Sequence, residues 1–307
     1  MKIAIIGRTE ILFNTAESLV DAGYTIPLVI TAKEAPEYSK TASDFQQLAR
    51  ENNSEFLQTA RISEALATLQ ELPRMDIAVS MNYPGIIPQE IIDFFPHGIL
   101  NAHGGDLPRY QGNACQAWAI LNGEEKIGLC IHKMVGGKLD WGDIIAREHL
   151  AIDCNTKITK CWEWMAERIP PMFLEAVEKL QHDSKYVLER QSPDAQDALR
   201  CYPRLPEDGR IDWQRPAVDV LRLINASNKP YAGAFCEFKS EKMIIWDAEL
   251  VDDQENFCAG PGQVTFIGSG HIEVACQGGK LRLKVVEMGG QIGNPVGWVK
   301  SVRRRLE

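Results

Sequence analysis

The chain has 307 residues, 45% hydrophobic and 24% charged, which is the composition of an ordinary globular protein with room for about two domains. Its formal net charge of −9 excludes a chain-wide basic surface for binding nucleic acid, although a local basic groove is not excluded. No apolar stretch reaches the roughly 18 residues that a transmembrane helix needs, so we expect no membrane contact. The eight cysteines form no Cys-x-x-Cys pair and accompany no histidine cluster, which predicts reduced thiols in a cytoplasmic protein without a metal site.

The first part of the sequence alternates between short apolar runs and apolar residues at helical spacing. The pattern predicts strands at 2–7, 26–30, 75–81, 98–101 and 127–134, and helices at 10–22, 43–52, 89–94, 116–121 and 156–180. This order predicts an α/β fold with a Rossmann-like, mostly parallel sheet and flanking helices. Pro170 and Pro171 are expected to kink or split the last helix.

A polar stretch with several prolines, residues 191–204, predicts a linker between a domain at 1–190 and a smaller one at 205–307. After a helix at 216–226, the pattern predicts glycine-punctuated strands at 232–238, 243–250, 262–267, 270–276 and 281–286. Such short strands favour a β-rich, barrel-like domain or a sandwich. The arginines at 303–305 are expected to form a solvated tail.

Several common functional motifs are absent. Gly7 follows the first strand, but no Gly-x-Gly-x-x-Gly follows it, so a dinucleotide fingerprint is not supported. The sequence also lacks a phosphate-binding P-loop and the Gly-x-Ser-x-Gly elbow of serine hydrolases.

The informative stretch begins where the strand predicted at 98–101 ends. Asn101 and His103 are two residues apart on an extended segment and should point to one side. Asp140 lies in a glycine-rich loop after a later strand. These residue types suit formyl or acyl transfer to an amine: an amide donates to the developing oxyanion, a histidine moves a proton, and a carboxylate orients the histidine. From spacing alone, a lone histidine after a strand is more often a structural residue, and an aspartate beside glycines is more often turn-forming.

The surrounding residues resemble the signature of the folate-dependent formyltransferases. The motif residues are Asn101, His103, Leu107, Pro108, Tyr110 and Gly112, followed by Leu139, Asp140, Gly142 and Asp143. The segments at 83–88 and 205–213 resemble that family's pterin-pocket hinge and the start of its carboxyl-terminal domain, so the resemblance covers almost the whole chain.

The resemblance implies a function and a set of site residues. Asn101, His103 and Asp140 would be catalytic, 10-formyltetrahydrofolate would be the co-substrate, and residues 1–190 would form the catalytic domain. The pterin would be held by Ile86, Val135, Gly137 and Leu139.

Three positions depart from the family pattern. Gly105-Asp106 replaces Ser-Leu, and Asp106 would either pair with an acceptor ammonium or cap a turn. Gln111 stands where a basic residue is usual. Trp141 follows Asp140 where a small residue is usual, and it would either pack or line the acceptor or donor pocket.

Two branches of the family differ in their acceptor. Enzymes that formylate methionyl-tRNA carry a basic Gly/Arg-rich loop after the second strand, whereas residues 31–40 here hold two Lys and two Glu. The segment at 229–235 looks like that of enzymes that formylate an amino sugar on a nucleotide. We therefore expect a nucleotide-linked amino sugar as acceptor, as in lipopolysaccharide or O-antigen biosynthesis, with methionyl-tRNA as the alternative. Candidate contacts to the acceptor are Tyr110, Trp141, Lys229 and Tyr231.

Two other functions are less well supported by the residues. Formyl-folate hydrolases resemble a shorter, single-domain version, and a non-catalytic folate-binding module would not need the catalytic set. The oligomeric state stays open, with a homodimer among the alternatives.

Overall fold

The computed structural model describes residues 1–36, 38–192, 194–252 and 255–307. Two residues in segments named above lie outside the described ranges. They are Glu37, in the acidic and basic segment at 31–40, and Pro193, in the predicted linker. Within the described ranges, no helix is long and apolar enough to cross a membrane.

The chain divides into two compact units. The first comprises Met1–Gly112, Gly128–His149 and Glu163–Cys201, and the second comprises Asn113–Ile127, Leu150–Trp162 and Tyr202–Glu307. Neither unit is continuous in sequence, because two short segments before residue 163 group with the carboxyl-terminal part. The predicted domain boundaries themselves stay a prediction.

The first unit is organised by a seven-stranded sheet with the order β3-β2-β1-β4-β5-β7-β8. Its strands, together with the short pair β6 and β9, are β1 Lys2–Gly7, β2 Thr25–Thr31, β3 Glu55–Gln58, β4 Ile77–Met81, β5 Ile99–His103, β6 Tyr110–Gly112, β7 Lys126–Lys133, β8 Ile144–Ala151 and β9 Leu199–Cys201. The pairs from β3 to β5 are parallel, whereas β7 runs antiparallel to β5. β1 and β4 are mainly apolar, and β1, β4 and β5 are almost fully buried, as a sheet covered on both faces requires.

The helices before residue 183 are α1 Glu10–Asp21, α2 Ala42–Glu51, α3 Leu66–Glu71, α4 Gln89–Ile92, α5 Cys115–Asn122 and α6 Ile158–His182. α1 and α2 pack against β2, whereas α5 belongs to the second unit. α1 begins where the Thr9 side chain accepts a hydrogen bond from the Leu12 amide. α6 is one continuous helix, so Pro170 and Pro171 do not split it, and the predicted kink stays a prediction. Buried residues at helical spacing on both sides of the prolines, such as Met165 and Phe173, hold the two halves in one register.

The predicted linker is also partly ordered. β9 lies inside the 191–204 segment and pairs in parallel with β6. The sequence pattern missed both strands because each has only three residues.

The second unit contains α7 Ala217–Ala226 and a six-stranded antiparallel sheet with the order β10-β11-β14-β13-β12, with β15 on β14. The strands are β10 Ala234–Phe238, β11 Glu241–Leu250, β12 Val264–Ile267, β13 Ile272–Cys276, β14 Gly279–Met288 and β15 Gln291–Gly293. Alternate residues of these strands enclose a core together with α7. The predicted fold class, a Rossmann-like sheet followed by a smaller β-rich domain, is confirmed.

The carboxyl terminus closes this sheet, so the prediction of a solvated tail at 303–305 is wrong. On one side, the Glu307 and Glu237 backbones exchange hydrogen bonds of 2.6 and 2.9 Å. On the other, the Val264 amide donates to the Arg304 carbonyl at 3.0 Å. Leu306, only 1% exposed, enters the core between these contacts, which stabilises the tail although its arginine side chains are exposed.

Candidate active site

Two neighbouring strands place three polar side chains together. Asn101 and His103 lie on β5 at alternate positions, so their side chains project from the same face of the sheet. Asn101 is paired in register with His132 on the antiparallel strand β7. The sequence predicts that β5 ends at Asn101, but hydrogen bonding to β7 extends the strand to His103, which is 7% exposed.

Asp140 approaches this cluster from the loop after β7. Its Oδ1 is 3.5 Å from His103 Nδ1 and 3.9 Å from His132 Nε2. Its Oδ2 accepts a hydrogen bond of 2.8 Å from the Gly112 amide. The Asp140 and His103 side chains are each 8% exposed, so water screens their interaction only weakly. The structure thus brings together the three residues expected to be catalytic.

The hydrogen bonds of His132 define its protonation state. Nδ1 is 3.0 Å from the Lys133 carbonyl and must donate to it, which leaves Nε2 as an acceptor. Asn101 Nδ2 donates to this Nε2 at 3.2 Å. Burial lowers the pKa of His132, and this outweighs the opposite effect of the nearby Asp140 carboxylate. His132 is therefore a neutral imidazole that orients the Asn101 amide.

His103 is held differently. Its Nε2 donates to the Tyr110 carbonyl at 2.7 Å, and this places Nδ1 toward Asp140. A proton can therefore move between the imidazole and the carboxylate without a rotation of the ring.

His132 is the site residue that sequence reasoning missed. It lies within the described cluster, yet no spacing rule joins it to Asn101, 31 positions earlier. The antiparallel direction of β7 brings the two residues together. If the sequence analysis had predicted that β7 runs antiparallel to β5, the alternation of buried residues in 127–134 would have placed His132 opposite Asn101.

The residues predicted to hold the pterin lie on two segments that touch. The Gly136 amide donates to Gln89 Oε1 at 2.9 Å and joins the loop after β7 to the start of α4. A Cβ on Gly136 would clash with the Gln89 backbone, so this contact requires glycine. On these two segments, the side chains of Ile86 and Leu139 are 67% and 37% exposed, so each leaves apolar area that a bound ring could cover. Val135 and Gly137 lie between them in sequence; Val135 is half-buried and Gly137 is exposed.

Asp106, the first departure from the family pattern, is engaged within the protein. Its Oδ1 accepts one hydrogen bond from Arg147 and another, of 3.1 Å, from His149. Gly128 packs against it so closely that a Cβ would clash. These contacts agree with a role in shaping the 104–109 loop and leave no reason to assign Asp106 to an acceptor ammonium.

The other candidate contacts have distinct environments. Tyr110 is 4% exposed, and the Arg109 guanidinium lies 5.1 Å from the centre of its ring, so its backbone carbonyl rather than its ring faces the cluster. Trp141 is half-buried beneath the Lys138 ammonium, 4.6 Å from the ring centre. Lys229 and Tyr231 belong to the second unit, where Lys229 Nζ lies 5.4 Å from the centre of the Trp246 ring. Their predicted roles stay predictions.

A sheet edge that brings Asn, His and Asp side chains together is compatible with acyl-group transfer chemistry. Residues 1–177 match the Formyl transferase family, and residues 205–303 match the Formyl transferase C-terminal domain. The chain belongs to the formyl transferase family. Membership confirms the predicted formyl-folate co-substrate at the level of its class.

The chain is also similar to individual proteins and solved structures. The chain is 31% identical over 293 residues to the methionyl-tRNA formyltransferase of Acetivibrio thermocellus, covering 94% of this chain and 92% of that protein. An N-formyltransferase from Helicobacter canadensis, solved with folinic acid and dTDP-3-aminofucose, matches with a TM-score of 0.68 at 16% identity, over 92% of this chain and 99% of that one. HypX from Aquifex aeolicus, solved with tetrahydrofolic acid, matches with a TM-score of 0.63 at 16% identity, over 96% of this chain, which spans only 46% of HypX. At these identities, the two structural matches establish the fold alone.

Proposed function

We propose that this chain transfers the formyl group of 10-formyltetrahydrofolate to a primary amine, with Asn101, His103 and Asp140 as the catalytic residues. Two contacts in the cluster support this proposal: the Asp140 carboxylate is 3.5 Å from His103 Nδ1, and His132 orients the Asn101 amide through a hydrogen bond. A merely structural histidine would not need a buried carboxylate and a fixed amide beside it.

Asn101, His103 and Asp140 each have a role in the proposed reaction. The neutral amine attacks the formyl carbon, a C–N bond forms, and the carbonyl oxygen becomes an oxyanion. One hydrogen of Asn101 Nδ2 bonds to His132, so the other is available to donate to that oxyanion. Since His103 Nε2 is engaged by the Tyr110 carbonyl, the His103–Asp140 pair takes the amine proton through the Asp140 carboxylate. The pair returns this proton to the leaving folate nitrogen as the carbonyl reforms and the old C–N bond breaks.

Two exposed apolar side chains suit the donor. Ile86 and Leu139 expose large side chains beside the loop that carries Asp140, and this loop is anchored to α4 through Gly136. We assign the pterin to the region of Ile86, Val135, Gly137 and Leu139, because burial of such exposed apolar groups is favourable.

We propose a nucleotide-linked amino sugar as the acceptor. The segment after β2 contains only Lys33 and Lys40 as cations. Lys40 lies 4.0 Å from the Asp44 carboxylate and covers the Phe13 ring, so one of the two charges is already partly neutralised. A tRNA backbone requires several unneutralised cations, which neither this segment nor the net charge of −9 supplies.

Methionyl-tRNA is the second candidate acceptor, and one specific finding favours it. The Acetivibrio thermocellus relative carries that activity in its name and aligns with 94% of this chain. That finding supports methionyl-tRNA as acceptor more directly than the structural matches support an amino sugar. The choice of acceptor therefore depends on the experiment.

The experiment gives the enzyme 10-formyltetrahydrofolate and one acceptor at a time: methionyl-tRNA, or UDP- and dTDP-linked amino sugars. Mass spectrometry detects the formylated product, and formate release without an acceptor reports hydrolysis. We expect a formylated nucleotide sugar. Formylated methionyl-tRNA with no sugar product would transfer the proposal to the second candidate, and formate as the main product would refute both.

A further inference from the structure

One side chain outside the motif residues holds the turn that carries Asp140. Gln191 Nε2 donates to the Asp140 carbonyl at 3.0 Å and to the Gly142 carbonyl at 2.7 Å. Both neighbours are acceptors, so the amino end of the Gln191 amide must face them. The two carbonyls are thereby bridged by one nitrogen.

Gln191 is itself anchored in the first unit. Residues just before it pair with the start of β8: the Ile144 amide donates to the Glu189 carbonyl at 2.8 Å, and the Leu188 amide donates to the Ile144 carbonyl at 2.9 Å. The residues just before the predicted linker are therefore hydrogen-bonded to the sheet. This attachment places Gln191 next to the turn at 140–142.

The turn needs such support because its backbone is unusual. Asp140 has φ +53°, a left-handed conformation that is unfavourable for a residue with a Cβ. Gly142 has φ +116°, and a Cβ there would clash with the Lys133 carbonyl. The conformation turns the Asp140 carboxylate toward His103 and the Gly112 amide. Within the described part of the chain, Gln191 Oε1 is buried without a hydrogen-bond partner, so the contacts to the turn are what orient this amide.

We propose that Gln191 is a positioning residue for the formyl-transfer reaction: its amide holds the 140–142 turn and so keeps the Asp140 carboxylate in reach of His103. The inference rests on the proposed function, because it gives Gln191 a role only through the catalytic role of Asp140. Gln191 does not touch the reacting atoms.

The test replaces Gln191 by glutamate, which keeps the shape of the side chain and removes both donors. At neutral pH we expect kcat to fall about 10- to 100-fold, since a shift of about 1 Å in a catalytic group costs up to ~100-fold. KM for the acceptor and the affinity for folate should stay within about twofold. The matched control is Gln196→Glu, the same change at an exposed glutamine five positions later, which should leave kcat unchanged.

Two further readouts separate positioning from general damage. Acidification should partly restore Gln191→Glu relative to wild type, because a protonated carboxyl regains one donor toward the carbonyls. In the Asp140→Asn background, Gln191→Glu should cause little additional loss, since the residue it positions is already disabled. If Gln191→Glu does not fold, as judged by thermal unfolding, Gln191→Met removes the donors without adding a charge and replaces it in the same cycle.

The outcomes distinguish the two claims. If Asp140→Asn has near-normal activity, the proposed function of Asp140 fails. Suppose instead that Asp140→Asn is impaired. The inference about Gln191 is overturned if the Gln191 variants without donors have normal kcat, or if they lower kcat by the same factor in wild type and in Asp140→Asn. In both cases the role of Asp140 stands.

Discussion

Replacing His132 by phenylalanine should lower kcat by disorienting an amide that the reaction needs. His132 is 1% exposed, and its Nε2 is the acceptor for Asn101 Nδ2 at 3.2 Å. Phenylalanine fills a similar volume but offers no acceptor, so the Asn101 amide can turn its oxygen toward the forming oxyanion. His132→Gln is the matched control, because the Gln carbonyl oxygen is three bonds from Cβ, as Nε2 is, and can accept the same hydrogen bond.

The magnitude follows from the buried donor that loses its partner. An unsatisfied buried donor costs about 1–3 kcal/mol, which corresponds to roughly 5- to 150-fold in kcat if the productive orientation loses that stabilisation. Loss of the whole oxyanion donor costs roughly 100- to 1,000-fold, and this sets the upper limit. We therefore expect His132→Phe to be less impaired than Asn101→Ala, with His132→Gln closer to wild type.

Steady-state kinetics with 10-formyltetrahydrofolate and the accepted amine measure kcat and KM for the three variants, and thermal unfolding checks that each is folded. The reasoning is refuted if His132→Phe is as active as wild type while Asn101→Ala is impaired, or if His132→Gln is as poor as His132→Phe.

Three further predictions concern the donor loop, the second unit and pH. Gly136→Ala should weaken folate binding roughly tenfold or more, about 1.4 kcal/mol, because its Cβ clashes with the start of α4; titration with a folate analogue measures this, and Gly270→Ala, with open space around its Cβ, should leave the affinity unchanged. Leu306→Ala should lower the free energy of unfolding by about 2–5 kcal/mol, since this side chain is 1% exposed; urea unfolding beside Val302→Ala, at a site 47% exposed, checks it, and equal losses would contradict closure of the sheet by the tail. Burial lowers the pKa of His132, so the folded protein binds fewer protons than the unfolded chain. The free energy of unfolding should therefore be highest above pH 6.5, the ordinary pKa of histidine, and should fall as the pH drops toward the lowered pKa. Urea unfolding at a series of pH values should show this decrease in wild type and a smaller one in His132→Gln.

The parts of the fold that follow from local patterning could be predicted from sequence. The buried runs at β1, β2, β4 and β5 and the amphipathic spacing of α1 and α2 placed the sheet and its helices within a few residues of their observed bounds. Short strands such as β3 and β15 were missed, because three or four residues carry too little periodicity.

Contacts between distant segments could not be predicted in the same way. Asn101, His103 and Asp140 were found because they stand in a recognisable order, whereas His132 and Gln191 act through pairings that depend on strand direction and loop path. The continuity of α6 across two prolines has the same origin, since packing outweighs the local cost of the missing hydrogen bonds.

The most direct test of the central claim follows a labelled formyl group. Wild-type protein and His103→Ala are each incubated with 10-[13C]formyltetrahydrofolate and the nucleotide-linked amino sugar, and the label is located by NMR and mass spectrometry. The account predicts a [13C]formamide on the sugar amine, formed at least ~100-fold more slowly by His103→Ala although folate binding is retained. Label that appears only as free formate, or transfer by His103→Ala at a near-normal rate, would contradict the account.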